Sequence, residues 1–449
     1  MFAIYNKIGL LDHMGWGNMG DAAVQESFIR NIKKRVPNAE LVAFSLKPED
    51  TRRRHGLECY PIVWSYPESV SATTSPAIPR HRKRLKGLLK KWRLLYAVAK
   101  PLHDLGQEIA HIARSFCAVR SLDLLIISGG GQLSEMWRGP WAHPYNIFKF
   151  SMLAKLSRTP LLIVGVGAGP LKHPLSKLFV RWSVGCARYV SLRDFESRDL
   201  ICSLGTVVKT EVFPDPAYAL PVADYVNGDR SSRARPRIGI NPIGFCDPRI
   251  WPHPDEKEYQ RYLSKVEASC TRLLERGYDI EIFTSDISVD HYAMEELYNR
   301  LSQQRGAEPS SFLTTVARLE LEGLVSQISQ FDFVITSKFH GVIFSHLLAK
   351  PVIALSYHSK IDDLMRAVGH EEYCLPISNF TSESLMATFD SLVRNQAQLK
   401  TLFLQTTTAY AAAVDEQFDR VFATTGYRKS HQGPAKETQA LYAAEERRA

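Results

Sequence analysis

Short apolar runs alternate with stretches of helical periodicity through both halves of the chain. In the first half, Leu41–Leu46, Asp123–Ser128, Leu161–Gly165 and Arg188–Leu192 are apolar on both faces and lead into glycine or polar turns. Runs of that kind predict strands buried from two sides, as in a parallel sheet covered by helices. Ala22–Arg35 places Val24, Phe28, Ile29 and Ile32 on one face, which predicts the first helix, with Asp21 as its N-cap and Pro37 close behind its end. The second half repeats the pattern. Arg237–Asn241, Asp279–Thr284, Phe331–Thr336 and Pro351–Ser356 read as strands, with helices over Glu258–Glu275 and Gly341–Ala349. Two successive β-α alternations predict an α/β chain of two Rossmann-like lobes facing a cleft. The first lobe is expected over residues 1–223 and the second over 237–400, joined by the polar stretch Asp224–Arg237. A C-terminal helix and polar tail fill 401–449, the tail from Ser430 being frayed or loosely docked.

The alternation breaks between residues 67 and 118. A Ser/Thr/Pro loop over Pro67–Pro79 gives way to a segment, Arg80–Arg93, that holds eight Lys/Arg and no acid. Leu85, Leu88, Leu89, Trp92, Leu95 and Tyr96 recur there at helical spacing. Two readings stay open for residues 80–96: a helix packed on the first lobe with a solvated basic face, or a surface helix touching anionic lipid or a lipid-linked pyrophosphate.

Composition narrows the class. At 449 residues two domains are the natural division, and 45% hydrophobic with 23% charged residues is globular, not disordered, composition. Seven cysteines are scattered without a CxxC pair or a Cys/His cluster, so neither a zinc site nor a disulfide framework is indicated and no metal is expected. A reducing cytoplasm is the expected location, with attachment at most to the inner face of the membrane. Lys7, Asp12 and His13 interrupt any signal-peptide core, and the longest apolar stretch, Leu161–Leu171, is too short to span a bilayer. The net charge of +9 is concentrated in the basic segment, which argues against a nucleic-acid surface spread over a domain.

Four constellations stand at expected strand-to-helix junctions, where two-lobed α/β proteins line their cleft. Gly15–Asp21 (GWGNMGD) opens into the first helix and offers Asn18, Gly20 and Asp21. It is either a tight turn with a cap or a place where backbone amides meet a polar ligand. Gly129, Gly130 and Gly131 follow a buried strand and keep side chains away from something that approaches closely. Gly165–Pro170 (GVGAGP) has the same character, and neither run carries a Walker or dinucleotide pattern. Thr336–Gly341 (TSKFHG) contributes Ser337, Lys338, His340 and Gly341: a cation and an imidazole two residues apart at a helix start can hold an anion and move a proton. A hydrogen-bonded structural histidine fits the same pattern. Arg193 adds a second strand-end cation, unless Asp194 or Glu196 merely neutralises it.

These segments together resemble the polysaccharide pyruvyl transferases. GNMGD, DLLIISGGGQLSE, VGVGAGPL, SLRDFES, DPAYAL (Asp215–Leu220) and SKFHGVIFSHLLAKPVIAL follow one another in that family's order over roughly residues 10–360. The resemblance implies an architecture like that of the GT-B glycosyltransferases, the acceptor on the first lobe and phosphoenolpyruvate, a donor substrate and not a cofactor, on the second. It implies that Arg193 grips phosphate or carboxylate and that His340, kept charged by the nearby phosphate, donates a proton. Lys338 stands where the family usually has arginine, which keeps the charge and loses the planar two-point grip. The acceptor would be a sugar of an exopolysaccharide or cell-surface glycan, or its lipid-linked precursor. Asp21 would accept a hydroxyl proton unless it is only a cap, and Trp137 and Trp141 would stack on a sugar unless they pack in the core or at a lobe interface. Two other classes remain. A nucleotide-sugar glycosyltransferase needs a ribose-gripping acid, for which Glu371 and Glu372 are the candidates; a non-catalytic assembly protein needs a degenerate site.

Overall fold

The computed structural model describes residues 5–12, 17–64, 86–136, 138–226, 235–305, 313–315 and 320–424. Residues 80–85 of the basic segment, the side chains of 86–102, Trp137, residues 227–234 of the joint and the tail from 425 lie outside that set. Two parallel sheets carry the fold. The first holds β1 (Lys7–Leu11), β2 (Glu40–Ser45), β3 (Glu58–Pro61), β4 (Leu124–Ser128), β5 (Leu161–Val166), β6 (Tyr189–Leu192) and β7 (Thr210–Val212), in the order β3-β2-β1-β4-β5-β6-β7. The second holds β8 (Arg237–Asn241), β9 (Asp279–Ile282), β10 (Leu313–Thr315), β11 (Phe333–Thr336), β12 (Val352–Ser356) and β13 (Cys374–Pro376), in the order β10-β9-β8-β11-β12-β13. Both orders reverse beside their first strand, so each lobe has a switch point, between β1 and β4 and between β8 and β11.

The same device sets the register at each switch point. The Asp123 carboxylate accepts the backbone N–H of Asn6 and Lys7 at 2.8 and 2.9 Å, and that of Asp332 accepts the N–H of Arg237 at 2.8 Å. Each acid precedes its central strand and fixes the start of the neighbour, which brings the C-terminal ends of all strands to one edge.

The lobes share packing as well as chain. One apolar core runs from Val24, Phe28 and Tyr218 into the second lobe, and a separate core lies under the helices Lys86–Arg120, His143–Ser157 and Pro174–Cys186. The C-terminal helix Gln396–Thr424 straps the two together. Its Phe403 packs on His346 and His370 at 4.6 and 4.5 Å, while Asp415 and Asp419 hold the buried Arg35 at 2.9 and 2.8 Å. Farther along, the amide of Gln417 donates to Ser191 Oγ at 2.9 Å, under β6.

Candidate active site

Arg193 leaves the end of β6 and lies in the cleft. Its Nη1 donates to Asp215 at 3.0 Å, and its guanidinium stacks 4.5 Å above the ring of Phe339 from the second lobe. Its Nε is buried without a hydrogen-bond partner, the neighbouring Asp194 carboxylate standing 3.8 Å away, within ion-pair reach and beyond hydrogen-bond reach. A Cβ at Gly167 would lie 2.7 Å from that Nε, so the glycine-rich loop after β5 is small in order to admit the guanidinium.

His340 reaches the same place from the first turn of the helix Phe339–Leu347. Its Nε2 is buried, has no hydrogen-bond partner and stands 3.9 Å from Asp215 Oδ1, beyond hydrogen-bond reach. Burial pushes its pKa down to about 4, with Arg193 and Lys338 acting the same way and Asp215 opposing. Burial thus favours the neutral imidazole, whereas the imidazolium expected from the resemblance is that of a ring with phosphate beside it. Gly20 explains how the ring fits: a Cβ at that position would collide with the imidazole, so helix Met19–Arg35 is glycine where His340 rests on it.

Asp21 is not the cap of that helix. Asn18 is the N-cap, its Oδ1 accepting from Gly20 N at 3.0 Å, which leaves the Asp21 carboxylate facing the cleft. Burial, then the like charge of Asp286, pushes Asp21 up to about 7 despite Arg193 and Lys338. Asn18 also bridges to Asp286, and Met19 N donates to Ser285 O at 2.8 Å, so the Gly-rich opening is a seam between lobes.

Lys338 is held differently. Its Nζ sits 2.6 Å from Asp290 and 3.2 Å from Asp286, both from the loop after β9. Burial alone would lower its pKa, but the two carboxylates outweigh burial and raise it. Ser337 Oγ is buried against Tyr262 Oη at 3.1 Å, and Gly341 packs on Thr336 and Asn241, so these two shape the loop from inside. No side chain caps this helix, whose first turn opens on His340.

The triple glycine divides in the same way. Gly129 packs on Val24, Gly130 approaches Asp21, and Gly131 faces open space. Trp141 is two-thirds exposed on the outer helix layer, against Tyr145 and Phe179, and not in this cluster. Glu371 and Glu372 are exposed just before β13, at the strand's N-terminal end and so at the sheet edge opposite the cleft.

Four participants escaped the sequence reading. Asp286 and Asp290 sit in a loop where an acid is unremarkable in sequence, and Asp215 stood out only as the first residue of DPAYAL, with no role attached to it. Lys360 had a signal: Ser356–Lys360 repeats the strand-end, polar, helix-start grammar of Thr336–His340. Among the described residues its Nζ donates only to Gly169 O, at 3.4 Å, and burial with the nearby Arg193 lowers its pKa to about 8. Beside it a cavity of about 880 Å³ opens between the lobes, lined by Gly169, Leu171, Glu196, Asp199, His358 and Ser359 among others.

The family model for polysaccharide pyruvyl transferase matches residues 18–359, from Asn18 to the residue before Lys360. The chain belongs to the polysaccharide pyruvyl transferase family. Solved structures share the architecture of this family member at low identity. A UDP-GlcNAc 2-epimerase from Neisseria meningitidis bound to UDP-GlcNAc is 10% identical with a TM-score of 0.55, covering 93% of this chain and 99% of that one. The Anabaena HepE protein in complex with UDP is 12% identical with a TM-score of 0.57, covering 93% and 100%. These likenesses establish a GT-B-like fold for the pyruvyl transferase family member and stop there.

Proposed function

We propose that this protein transfers the pyruvyl group of phosphoenolpyruvate to two hydroxyls of a sugar in a glycan or its lipid-linked precursor, forming a cyclic ketal. One observation carries the reading beyond family membership. Between the lobes, cationic groups with unmet donors, Arg193 and Lys360, meet two proton-handling groups, Asp21 and His340, whose protonation states burial drives apart.

Phosphoenolpyruvate is a compact polyanion, and its recognition needs fixed donors in a place poor in water. Arg193 Nε, Lys360 and the uncapped first turn of helix Phe339–Leu347 supply them. Asp21, raised to about 7, carries the proton that adds to the methylene carbon C3. C2 then becomes oxocarbenium-like, and a sugar oxygen bonds to it as its proton passes to neutral His340 Nε2. The C2–O bond to phosphate breaks, and a second hydroxyl closes the ketal at C2. Of the two hydroxyl protons, one replaces that given to C3 and the other leaves with phosphate. This gives Asp21 the acid role that the resemblance gives His340, because burial favours the neutral form of each. The cavity beside Glu196 and Asp199 has the volume and the acceptors for a sugar.

Calorimetry and thermal shift with phosphoenolpyruvate, beside a panel of nucleotide-sugars, test the donor. At 100 times its Kd, a true donor adds ~2.7 kcal/mol of stability. Saturable phosphoenolpyruvate binding, lost in Arg193→Ala, is the expected result. Stabilisation by a nucleotide-sugar alone would move the protein to the glycosyltransferases.

A further inference from the structure

We propose that the outer helix layer of the first lobe docks on an anionic bilayer surface, a role independent of the reaction assigned above. Helices Lys86–Arg120, His143–Ser157 and Pro174–Cys186 lie side by side: Glu108 accepts from Tyr145 Oη at 2.8 Å and Lys149 Nζ at 3.0 Å, and Phe148 stacks on Phe179 at 4.8 Å. Among the described residues, six of the ten large apolar side chains that are exposed belong to this layer or its edge: Leu105, Ile109, Trp141, Leu156, Leu178 and Trp182. Of the remaining four, Trp64 borders the layer at His103, and Val207, Val226 and Leu404 belong to other parts of the chain. An apolar concentration of this kind on one face marks a surface that meets something.

Charge says what it meets. Arg80–Lys100 holds nine Lys/Arg and no acid, and Arg138–Arg193 again holds nine and no acid. Those eighteen leave 38 of the 56 basic residues for the rest of the chain, against all 47 acids. Outside these two stretches the chain is net acidic, and apart from Arg193 in the cleft and Lys149 buried against Glu108 the second stretch builds this layer and its flanking loops. Arg114, Lys155, Lys177 and Arg181 are exposed beside the apolar side chains. Tryptophan and leucine interleaved with lysine and arginine match the boundary between headgroups and acyl chains. No helix among the described residues is long and apolar enough to cross a membrane, so this contact lies on the surface.

The test is co-sedimentation of the full chain with vesicles of phosphatidylcholine alone and of a phosphatidylcholine–phosphatidylglycerol mixture. Wild type is expected to bind only the anionic vesicles, and less as salt rises. Lys177→Glu/Arg181→Glu is expected to cut the partition ~10-fold or more, each lost cation near such a surface being worth ~5-fold. Leu178→Ser/Trp182→Ser, and separately Leu105→Ser/Ile109→Ser on another helix, should each cut it ~10-fold with an unchanged melting curve. Wild-type partition in all three pairs would overturn the proposal, including the case where only glutamines across residues 80–93 abolish binding. So would a wild type that ignores anionic vesicles but sediments as a dimer which the same pairs dissociate; the face would then be an interface between copies.

Discussion

Arg193 and Lys338 are both strand-end cations in one cleft, yet their surroundings assign them different work. Arg193 spends one nitrogen on Asp215 and keeps Nε buried and unmet, 4.5 Å stacking on Phe339 holding the plane in place. Lys338 is enclosed by Asp286 and Asp290, and the loop that supplies them is pinned to Asn18 and Met19 of the other lobe. A buried polar atom without a partner costs stability unless a ligand completes it. Lys338 has its two carboxylates at 2.6 and 3.2 Å, whereas Arg193 has one at 3.0 Å and the second, Asp194, only at 3.8 Å from Nε. Under the function proposed above, the first cluster is the one that receives an anion and the second the one that holds the lobes in register.

The sharpest way to break this contrast is to remove the enclosed cation. Lys338→Met leaves the buried Asp290 and its neighbour unpaired, and the loss expected from breaking a buried pair is ~3–5 kcal/mol. Urea unfolding should show that loss, with Asp290→Asn in the same chain restoring part of it. The KM for phosphoenolpyruvate of the protein that remains folded should stay near wild type. If Lys338→Met instead kept its stability and raised that KM, the two clusters would exchange roles.

Arg193→Ala should do the reverse. Losing a desolvated charge-assisted contact lowers kcat/KM for phosphoenolpyruvate by ~10²–10³-fold, the range of ~3–4 kcal/mol. Arg193→Lys should rescue little, because a point charge cannot offer both Nη1 to Asp215 and Nε to the donor. A steady-state assay of phosphate release reads both variants, and full activity in either would take Arg193 out of the donor pocket.

The contrast was only half legible in the sequence. Runs such as DLLIIS and FDFVIT are apolar on both faces and end where the sheets turn toward the cleft, so the lobes and their strand-end loops could be read directly. β1 escaped because KIGLL is short and followed by polar residues, although it is central and pairs on both sides. The edge strands β3, β7, β10 and β13 are three or four residues long, too short for any periodicity to register. Arg193, Lys338 and His340 were visible as residue types. Whether each was satisfied depended on Asp215, Asp286 and Asp290, brought in by loops from far along the chain. Gly20 illustrates the limit: a helix-start glycine is ordinary in sequence, and only the His340 ring lying on it gives a reason.

A pH profile sharpens the first cluster from the proton side. If Asp21 must be protonated and His340 neutral, kcat/KM should fall above about 7 and below about 4. The alkaline limb should vanish in Asp21→Asn, at ~10²-fold lower activity, and the acid limb in His340→Gln at a similar cost. The opposite assignment, a charged His340 as acid, predicts that the alkaline limb follows His340 and survives in Asp21→Asn.

The smallest effect is a gain, and it separates a strained site from a scaffold. Asp21 titrates near 7 in the folded protein and near its ordinary 3.8 when unfolded. The folded state therefore holds the proton more tightly. Stability is lost as pH rises from 3.8 toward 7, and the penalty is constant above that. Asn cannot ionise and escapes it. Asp21→Asn should thus stabilise the protein by ~2 kcal/mol at pH 8, the full shift being discounted for a carboxylate that faces the cleft, and by almost nothing near pH 4. Thermal unfolding at the two pH values reads the difference directly. A variant equally or less stable at pH 8 would mean that Asp21 is satisfied as a carboxylate, and would leave the cleft without its proton donor.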